Sequence, residues 1–588
     1  MSKRKSPGKK KGVRAEGKVA PWLAPVLLLV CVGILFGSFL FSSGMLFGTD
    51  TIPMGYAARQ VYTDLAKTVG GIPLWNPYLL GGIPTVDGLF GGDMFYPTTL
   101  LQFVMPVYRA LGIKLVIHIF LAGIFFYLYG RQAGLGRTAS LTGGVGYAFA
   151  PYIISLIYAG HDGKLFVTAL LPLSFYALER LLRDGRVFDQ MLFALSIGLM
   201  ILTAHLQLAF FACGAFAFRF LWEAVRLYRA GEKKRLTRTA ILFVTAALLG
   251  GAIGAVQTYP AYVYTGEFSP RAGGVTYEFA TSWSIHWEEA VSLIIPEFGH
   301  YLSFYWGENA FKLNCESPGF LIMMLVVCGL FRWKKDPELR FWYVLLAITL
   351  IYALGGETPF FHIIYAVVPK FFRAPSTILF LFSFGSCVIA ARVLDAFLKQ
   401  NDRDALVKGS IATGAFLAVL LLGSLAGEGF WSAWGNIVRG GLTPDQLRIA
   451  VANGPELQKG IVISALLGAL FLGLLVNGPK WGIPRNAVAA GLGLLVFLNA
   501  WRTNTDFVKV VPFEQYFQKD AAIQAMQRDD SVFRALSLIP NYQGNYFMTF
   551  DIEAASGFFD NKVRWYDELM QPANWNNLAL LSMVNVKY

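Results

Sequence analysis

Residues 22–50 read WLAPVLLLVCVGILFGSFLFSSGMLFGTD, an apolar run through Phe47 that meets an acidic residue, Asp50, at its far end. About 20 apolar residues cross the hydrocarbon core of a bilayer as helix, so 22–47 is long enough to span. A basic tail, residues 3–18, precedes the run and resembles the n-region of a signal peptide. No small-residue cleavage site stands out, so the run reads as a retained anchor with residues 1–21 as a basic cytoplasmic tail.

The whole chain follows that first stretch. Of 588 residues, 55% are hydrophobic and 15% charged, too few charges to cover a soluble domain, which carries about 25%. The expectation is an α-helical polytopic membrane protein with about 13 transmembrane helices. They are placed near 22–47, 111–130, 139–158, 165–182, 188–203, 206–222, 239–258, 318–331, 341–354, 376–394, 409–427, 460–477 and 486–503. The net charge of +13 sits largely between spans, in sets such as Arg131/Arg137 and Arg180/Arg183/Arg186, so it reads as topology and not as a nucleic-acid surface. Alternate loops are basic only if 188–222 is split at Ala204-His205.

That path makes 22–503 one transmembrane domain with four large outer loops, 48–110, 259–317, 355–375 and 428–459. Residues 504–588 lie outside as a small extracytoplasmic α/β segment with β-like runs at 531–539 and 546–552. The last residues, 580–588, read as a strand entering further structure, so a truncated chain is expected. Five cysteines have no metal-ligand spacing and no disulfide framework.

The polar, glycine- and aromatic-rich loop 48–106 is where polar chemistry can be housed in so apolar a chain. Met54, Ala58, Val61, Leu65 and Val69 repeat at helical spacing with Arg59, Asp64 and Lys67 between them, an interfacial amphipathic helix. The stretch 97–111 reads as apolar and surface-lying. Asp50 is the first candidate for catalysis: a carboxylate at the lipid–water boundary can meet both a lipid-borne donor and a water-side acceptor hydroxyl. Its plain alternative is a helix-ending turn with Thr49 and Thr51. Asp93 is a second candidate, as base or orienter, and Asp87 reads as a turn residue.

His161-Asp162-Gly163-Lys164 lies at the outer end of a span, where ionisable groups are costly and tend to mark sites. Lys164 could bind phosphate with His161 positioning it and Asp162 in support; a hydrated turn is the alternative. His205 and Gln207 occupy a tight outer hairpin and read first as its hydrogen-bonding groups. Arg373, after Phe371-Phe372, could grip phosphate in a bidentate manner or simply snorkel to the interface. Arg271, Glu308 and Lys312 are weaker candidates, and Trp283, Trp287, Tyr301, Tyr305 and Trp306 read as an interfacial aromatic belt. Gly250, Gly251 and Gly254 read as close helix packing. There is no nucleotide-binding βαβ unit or phosphate-cradling glycine loop.

Several ordered motifs resemble those of the bacterial YfhO family: Ile72-Pro73-Leu74-Trp75-Asn76-Pro77 with Gly81-Gly82-Ile83-Pro84 and Phe95-Tyr96-Pro97, then Gly160-His161-Asp162-Gly163-Lys164, Ala204-His205-Leu206-Gln207, Phe372-Arg373-Ala374-Pro375 and the terminal Val584-Asn585-Val586-Lys587-Tyr588. That family is similar to the GT-C superfamily of polytopic glycosyltransferases. The resemblance implies a GT-C-like fold, a polyprenyl-phosphate sugar donor used on the outer face, and Asp50 as the acidic residue of the first outer loop. It also implies members that continue into a larger outer C-terminal region. A metal is used by some GT-C enzymes and not others; no metal is expected to be required here, though a divalent one is possible.

The reading is thus a glycosyltransferase of the bacterial cytoplasmic membrane, with a cell-envelope polymer, lipid or protein as acceptor and membrane lipid around it. Lys164 and Arg373 would hold the donor phosphate, with His161 and Asp93 in support. The rivals are a transporter or flippase of lipid-linked saccharide, which would need deep polar residues and often an internal repeat, and a non-catalytic assembly protein.

Overall fold

The computed structural model describes residues 19–90, 92–367, 372–538 and 545–588. The basic tail 3–18 and the last residue of the expected strand 531–539 lie outside the described residues. The chain is a largely helical, multi-pass membrane protein. Each expected span contains helix, and nine helical stretches among the described residues are long and apolar enough to cross a bilayer, from Leu23–Leu40 to Gly454–Asn477. Val187–Leu202 and Phe320–Leu330 are shorter apolar helices. The break expected at Ala204-His205 is present: one helix ends at Leu202, Ala204 turns the chain at φ 64°, and the next helix begins at Leu206.

Two local features set the geometry of the face that carries the first large loop. The stretch Arg137–Ala159 is interrupted because Ala150, preceding Pro151, is held in extended backbone, and Pro151 then opens a second short helix, Pro151–Ala159. That helix closes on Gly160 at φ 75°. A Cβ on Gly160 would lie 2.6 Å from the Thr51 backbone nitrogen and 2.9 Å from that of Asp50, so only glycine permits both the turn and the contact. The first large loop docks there: Thr49 N–H donates to the Tyr158 carbonyl at 2.8 Å and the Thr49 hydroxyl to that of Ala159 at 3.1 Å.

Elsewhere the bundle packs as membrane helices do, through small residues. Gly250 and Gly254 of Lys233–Glu267 face Ile197 and Ile201 of Val187–Leu202, whereas Gly251 faces open space. Around Tyr129, Phe175, Trp342 and Phe384 lies a fully buried aromatic cluster with ring centroids 5.1–6.3 Å apart. Such pairs add about 0.5–1.5 kcal/mol each beyond area burial.

In the first loop, a π-helical turn at Thr51–Tyr56 leads into the helix Ala57–Val69. Val61 and Ala58 are buried as the spacing predicts, but Val69 is exposed and Arg59, expected on the polar face, is buried. Trp75–Asn76 and Ile83–Pro84 form a two-residue antiparallel hairpin. Of the stretch 97–111 expected to lie on the surface, Pro97–Phe103 is a 3-10 helix with Leu100, Phe103 and Val104 exposed, but 107–111 opens the helix Val107–Gln132 with Val107, Ala110 and Leu111 buried.

The 504–588 segment is more helical than its sequence implies. Its strand Val510–Val511 pairs antiparallel with Met45–Leu46 at the end of the first span. The run 546–552 contains a 3-10 helix, Phe547–Phe550, where a strand was expected. Residues 580–588 begin inside the helix Leu578–Met583; beyond it Val586 bridges, parallel, to Arg534, and the Leu536 N–H donates to the Tyr588 carbonyl at 2.9 Å. Short apolar runs such as these carry too little periodicity to separate strand from helix, and packing decides.

Candidate functional site

Docking of the first loop on Gly160 places Asp50 beside His161, the residue that leads into the helix Asp162–Asp184. The Asp50 carboxylate is half-exposed and lies 3.5 Å from His161 Nε2. One turn on, Lys164 Nζ lies 3.1 Å from His161 Nδ1. An ammonium can only donate, so Nδ1 accepts, and the ring proton resides on Nε2, directed at Asp50. Burial pushes His161 below its ordinary pKa, and the Lys164 charge pushes it the same way. A neutral His161 therefore links the carboxylate to the lysine.

Arg373 reaches the same space from a different part of the chain. Ala374 follows it at φ 55°, and Pro375 starts the 3-10 turn Pro375–Ile378 before the helix Leu379–Gln400. Gln207 clamps this turn: its Nε2 donates to the Arg373 carbonyl at 2.6 Å and lies 3.1 Å from Thr377 Oγ1. The Arg373 guanidinium stacks over Phe279 at 5.1 Å and lies 3.9 Å from Asp560.

Asp50, His161, Lys164 and Arg373 stand where two cavities adjoin. The larger, of about 580 Å³, and the smaller, of about 370 Å³, share Asp50, His161, Lys164, Arg373, Ala374 and Thr377. The smaller adds Arg59, Asp162, His205 and Gln207, and the larger adds Trp283, Lys312, Glu316 and Asp560. Four non-glycine residues with left-handed backbone, Leu89, Ala204, Trp283 and Ala374, line one chamber or the other. Strain of this kind concentrates at binding sites because the surrounding fold must over-determine it.

Asp93, the candidate base or orienter of the first loop, is enclosed by its partners. It is 1% exposed and lines neither chamber. Its carboxylate accepts from Arg59 Nε at 3.2 Å and from Thr99 Oγ1 at 3.1 Å, and pairs with Lys114. Burial alone would raise its pKa, but Lys114 and Arg59 outweigh it and hold the carboxyl well below the ordinary range. A carboxylate so saturated is an anchor. Arg59 also reaches Asp162 at 2.5 Å, which makes a chain Asp162–Arg59–Asp93–Lys114 of two anions and two cations, buried from Arg59 inward and open to the smaller chamber at Asp162. Gly92, at φ 62°, leaves room for it, since a Cβ there would lie 2.9 Å from the Arg59 guanidinium. The chain fixes Asp162, and through it the start of the His161–Lys164 turn.

His205 caps the helix Leu206–Arg229, its Nδ1 accepting from Leu208 N–H at 3.3 Å. Burial, with Lys164 and His161 nearby, pushes it well below its ordinary pKa. Arg271 meets the larger chamber only through Asp560, at 2.9 Å. Of the aromatic residues expected in a belt, Tyr301 and Trp306 are instead buried in the core, the Trp306 indole N–H donating to the Phe298 carbonyl at 2.6 Å, and Trp283 lines the larger chamber.

Sequence reasoning passed over Glu289, Glu316 and Asp560, and ranked Lys312 low. Lys312 Nζ bridges Glu289 at 3.0 Å and Glu316 at 2.9 Å inside the chamber wall. The signal was the crowding of Lys312, Asn314 and Glu316 within a loop, without periodicity to show which way they face. His286, Glu288 and Glu308 have ligand atoms within 4.8 Å of one another, a spacing suited to a metal. Arg439 occupies the position of the cation there, pairing with Glu288 at 2.6 Å and with Glu308.

No family model and no curated protein matches the chain. Among solved structures it is similar to ArnT from Cupriavidus metallidurans bound to undecaprenyl phosphate, with 10% identity over 93% of this chain and 88% of that one at a TM-score of 0.47. It is also similar to the archaeal oligosaccharyltransferase AglB from Archaeoglobus fulgidus in complex with an inhibitory peptide and a dolichol-phosphate, with 12% identity over 96% of this chain and 69% of that one at a TM-score of 0.43. A third is the arabinosyltransferase EmbB from Mycobacterium smegmatis, with 13% identity over 84% of this chain and 42% of that one at a TM-score of 0.36.

Proposed function

We propose that the chain is a membrane glycosyltransferase that moves a sugar from a polyprenyl-phosphate donor to a hydroxyl of a cell-envelope acceptor, on the extracytoplasmic face of a bacterial cytoplasmic membrane. The observation that carries the reading is the shared lining: one accessible carboxylate, Asp50, stands where two chambers adjoin, with Lys164 and Arg373 beside it. Two chambers suit two substrates, and a carboxylate common to both suits proton removal at their junction.

In this reading the donor phosphate lies against Lys164 and Arg373. Asp50 removes the proton of the acceptor hydroxyl as its oxygen forms a bond to the anomeric carbon. The bond from that carbon to the phosphate oxygen breaks, and the electron pair leaves with the phosphate, whose charge the two cations offset. His161, through its Nε2 proton, orients Asp50. Gln207 holds the Arg373 turn, and the Asp162–Arg59–Asp93–Lys114 chain holds the turn that bears His161 and Lys164. None of these steps calls on a metal.

The test is Asp50→Asn assayed in membranes with a labelled polyprenyl-phosphate sugar. Loss of a general base lowers the rate by about 10²–10⁴-fold. Unchanged transfer at normal expression removes the mechanism, and movement of intact donor across the membrane without transfer favours a flippase.

A further inference from the structure

The larger chamber has a set of polar liners that the transfer chemistry above leaves unused. Glu289, Lys312, Asn314 and Glu316 line this chamber and not the smaller one, so they stand away from the shared lining. Glu289, Lys312 and Glu316 are 1%, 8% and 7% exposed at their side chains. Lys312 bridges the two carboxylates, and Asn314 Nδ2 donates to Glu316 Oε1 at 3.0 Å. Two carboxylates and one ammonium leave this wall with a net charge of −1. A buried ion cluster is seldom a gain in stability over apolar packing, so its place in a cavity wall points to recognition.

Aromatic rings stand beside it. Trp283 and Phe311 line the same chamber with centroids 4.5 Å apart, and Phe311 is 52% exposed. Trp283 sits at φ 60°, a backbone state that a bulky side chain adopts only when its surroundings impose it. Apolar faces next to hydrogen-bonding edges are what a sugar ring requires: C–H faces stack on the rings, and hydroxyls donate to carboxylates and accept from ammonium and amide N–H.

Resting on the glycosyltransferase reading, we infer that this wall is the glycosyl subsite and that it admits a sugar without a carboxylate and rejects a uronate. A uronate would bring a second uncompensated negative charge against a wall that already carries one, in a setting where charges are poorly screened. An uncharged or amine-bearing glycosyl unit meets no such repulsion.

The full chain in detergent or nanodiscs is titrated with three probes: bare polyprenyl phosphate, polyprenyl-phosphate hexose and polyprenyl-phosphate hexuronate. The hexose-bearing lipid binds several-fold tighter than the bare one, and at least tenfold tighter than the hexuronate. Glu316→Gln removes most of that discrimination. Trp283→Ala, in a partly exposed loop position, reduces the hexose lipid to the affinity of the bare one while leaving the bare lipid unchanged, and it keeps the test open if Glu316→Gln does not fold. Equal affinity for hexose and hexuronate, or no gain from either sugar over the bare lipid, overturns the subsite alone. Failure of bare polyprenyl phosphate to bind overturns the glycosyltransferase reading and the subsite together.

Discussion

At the scale of the residue, the site depends on groups whose charge state is set by burial. His161, His205 and His300 all lie outside the spans and are all pushed below their ordinary pKa, burial being the largest cause in each, His300 to about 4. In the unfolded chain each would titrate near 6.5. Below that pH the unfolded state binds protons that the folded state refuses, so stability is complete above about pH 6.5 and declines as pH falls below it. Thermal unfolding in detergent should therefore give a Tm that drops steadily from pH 7 to pH 5. A Tm flat across that interval would contradict the neutral histidines, and with them the Nε2 proton directed at Asp50.

Single residues also explain what could be read in advance. Asp50, His161, Lys164 and Arg373 all stand at the outer ends of apolar stretches, and an ionisable group at such a boundary is visible in a linear pattern. Asp93 stands inside the first loop and was a candidate through the polar, glycine-rich composition of that loop. Its difference lies in Arg59 and Lys114, which sit 34 and 21 residues away in the chain, and nothing in a one-dimensional pattern pairs them.

At the scale of the element, the turn from Gly160 into Asp162–Asp184 is the piece that makes the site, and the buried ion chain beneath it is its support. Asp93→Asn would leave Lys114 and Arg59 with Asp162 as their one remaining carboxylate in that chain. Removing one partner of a buried charge set costs about 3–5 kcal/mol, because the others remain buried and uncompensated. The substitution should lower Tm markedly and reduce transfer as the His161–Lys164 turn loosens. The sign with pH is the reverse of a simple loss. Asp93 in the fold has a carboxyl pKa below its unfolded value, so its contribution is present above about pH 4 and fades as pH falls toward the native value. Wild type should thus converge on Asp93→Asn in strong acid, measured by Tm against pH; parallel curves would refute the ion chain as the source of the difference.

Helical elements were legible because long apolar periodicity overrides local detail, and the break at Ala204-His205 followed from the placement of basic loops. The short elements of 504–588 were not. Runs of five to nine mixed residues carry similar patterns whether they become a 3-10 turn, as at Phe547–Phe550, or a strand.

At the scale of the whole molecule, the C-terminal segment closes over the first loop. Its strand Val510–Val511 extends Met45–Leu46, and Phe513 packs on Tyr108 at 4.3 Å and on Tyr56 at 5.1 Å. Farther on, Ala554 exchanges backbone hydrogen bonds with Tyr78 and Gly81, and Phe558 and Asp560 enter the larger chamber. Phe513→Ala removes aromatic pairs worth about 0.5–1.5 kcal/mol each beyond area. The expected outcome is a roughly tenfold faster limited proteolysis beyond residue 512, the equivalent of about 1.4 kcal/mol, with the helical signal in circular dichroism unchanged. Proteolysis at the wild-type rate would mean that the strand pairing and the contacts of Ala554 and Asp560 hold the segment without Phe513.

Apolar length and the spacing of positive charge were enough to point to a helical membrane protein with large loops between its spans, since transfer into hydrocarbon is a property of each stretch by itself. Which polar residues share a chamber was decided only by folding. Asp50 meets His161 because Gly160 admits the loop backbone, Lys312 meets Glu289 and Glu316 because a loop turns inward, and Asp560 meets Arg373 across almost 190 residues of chain. Side-chain electrostatics depend on distance in space, and a sequence orders residues only along the chain.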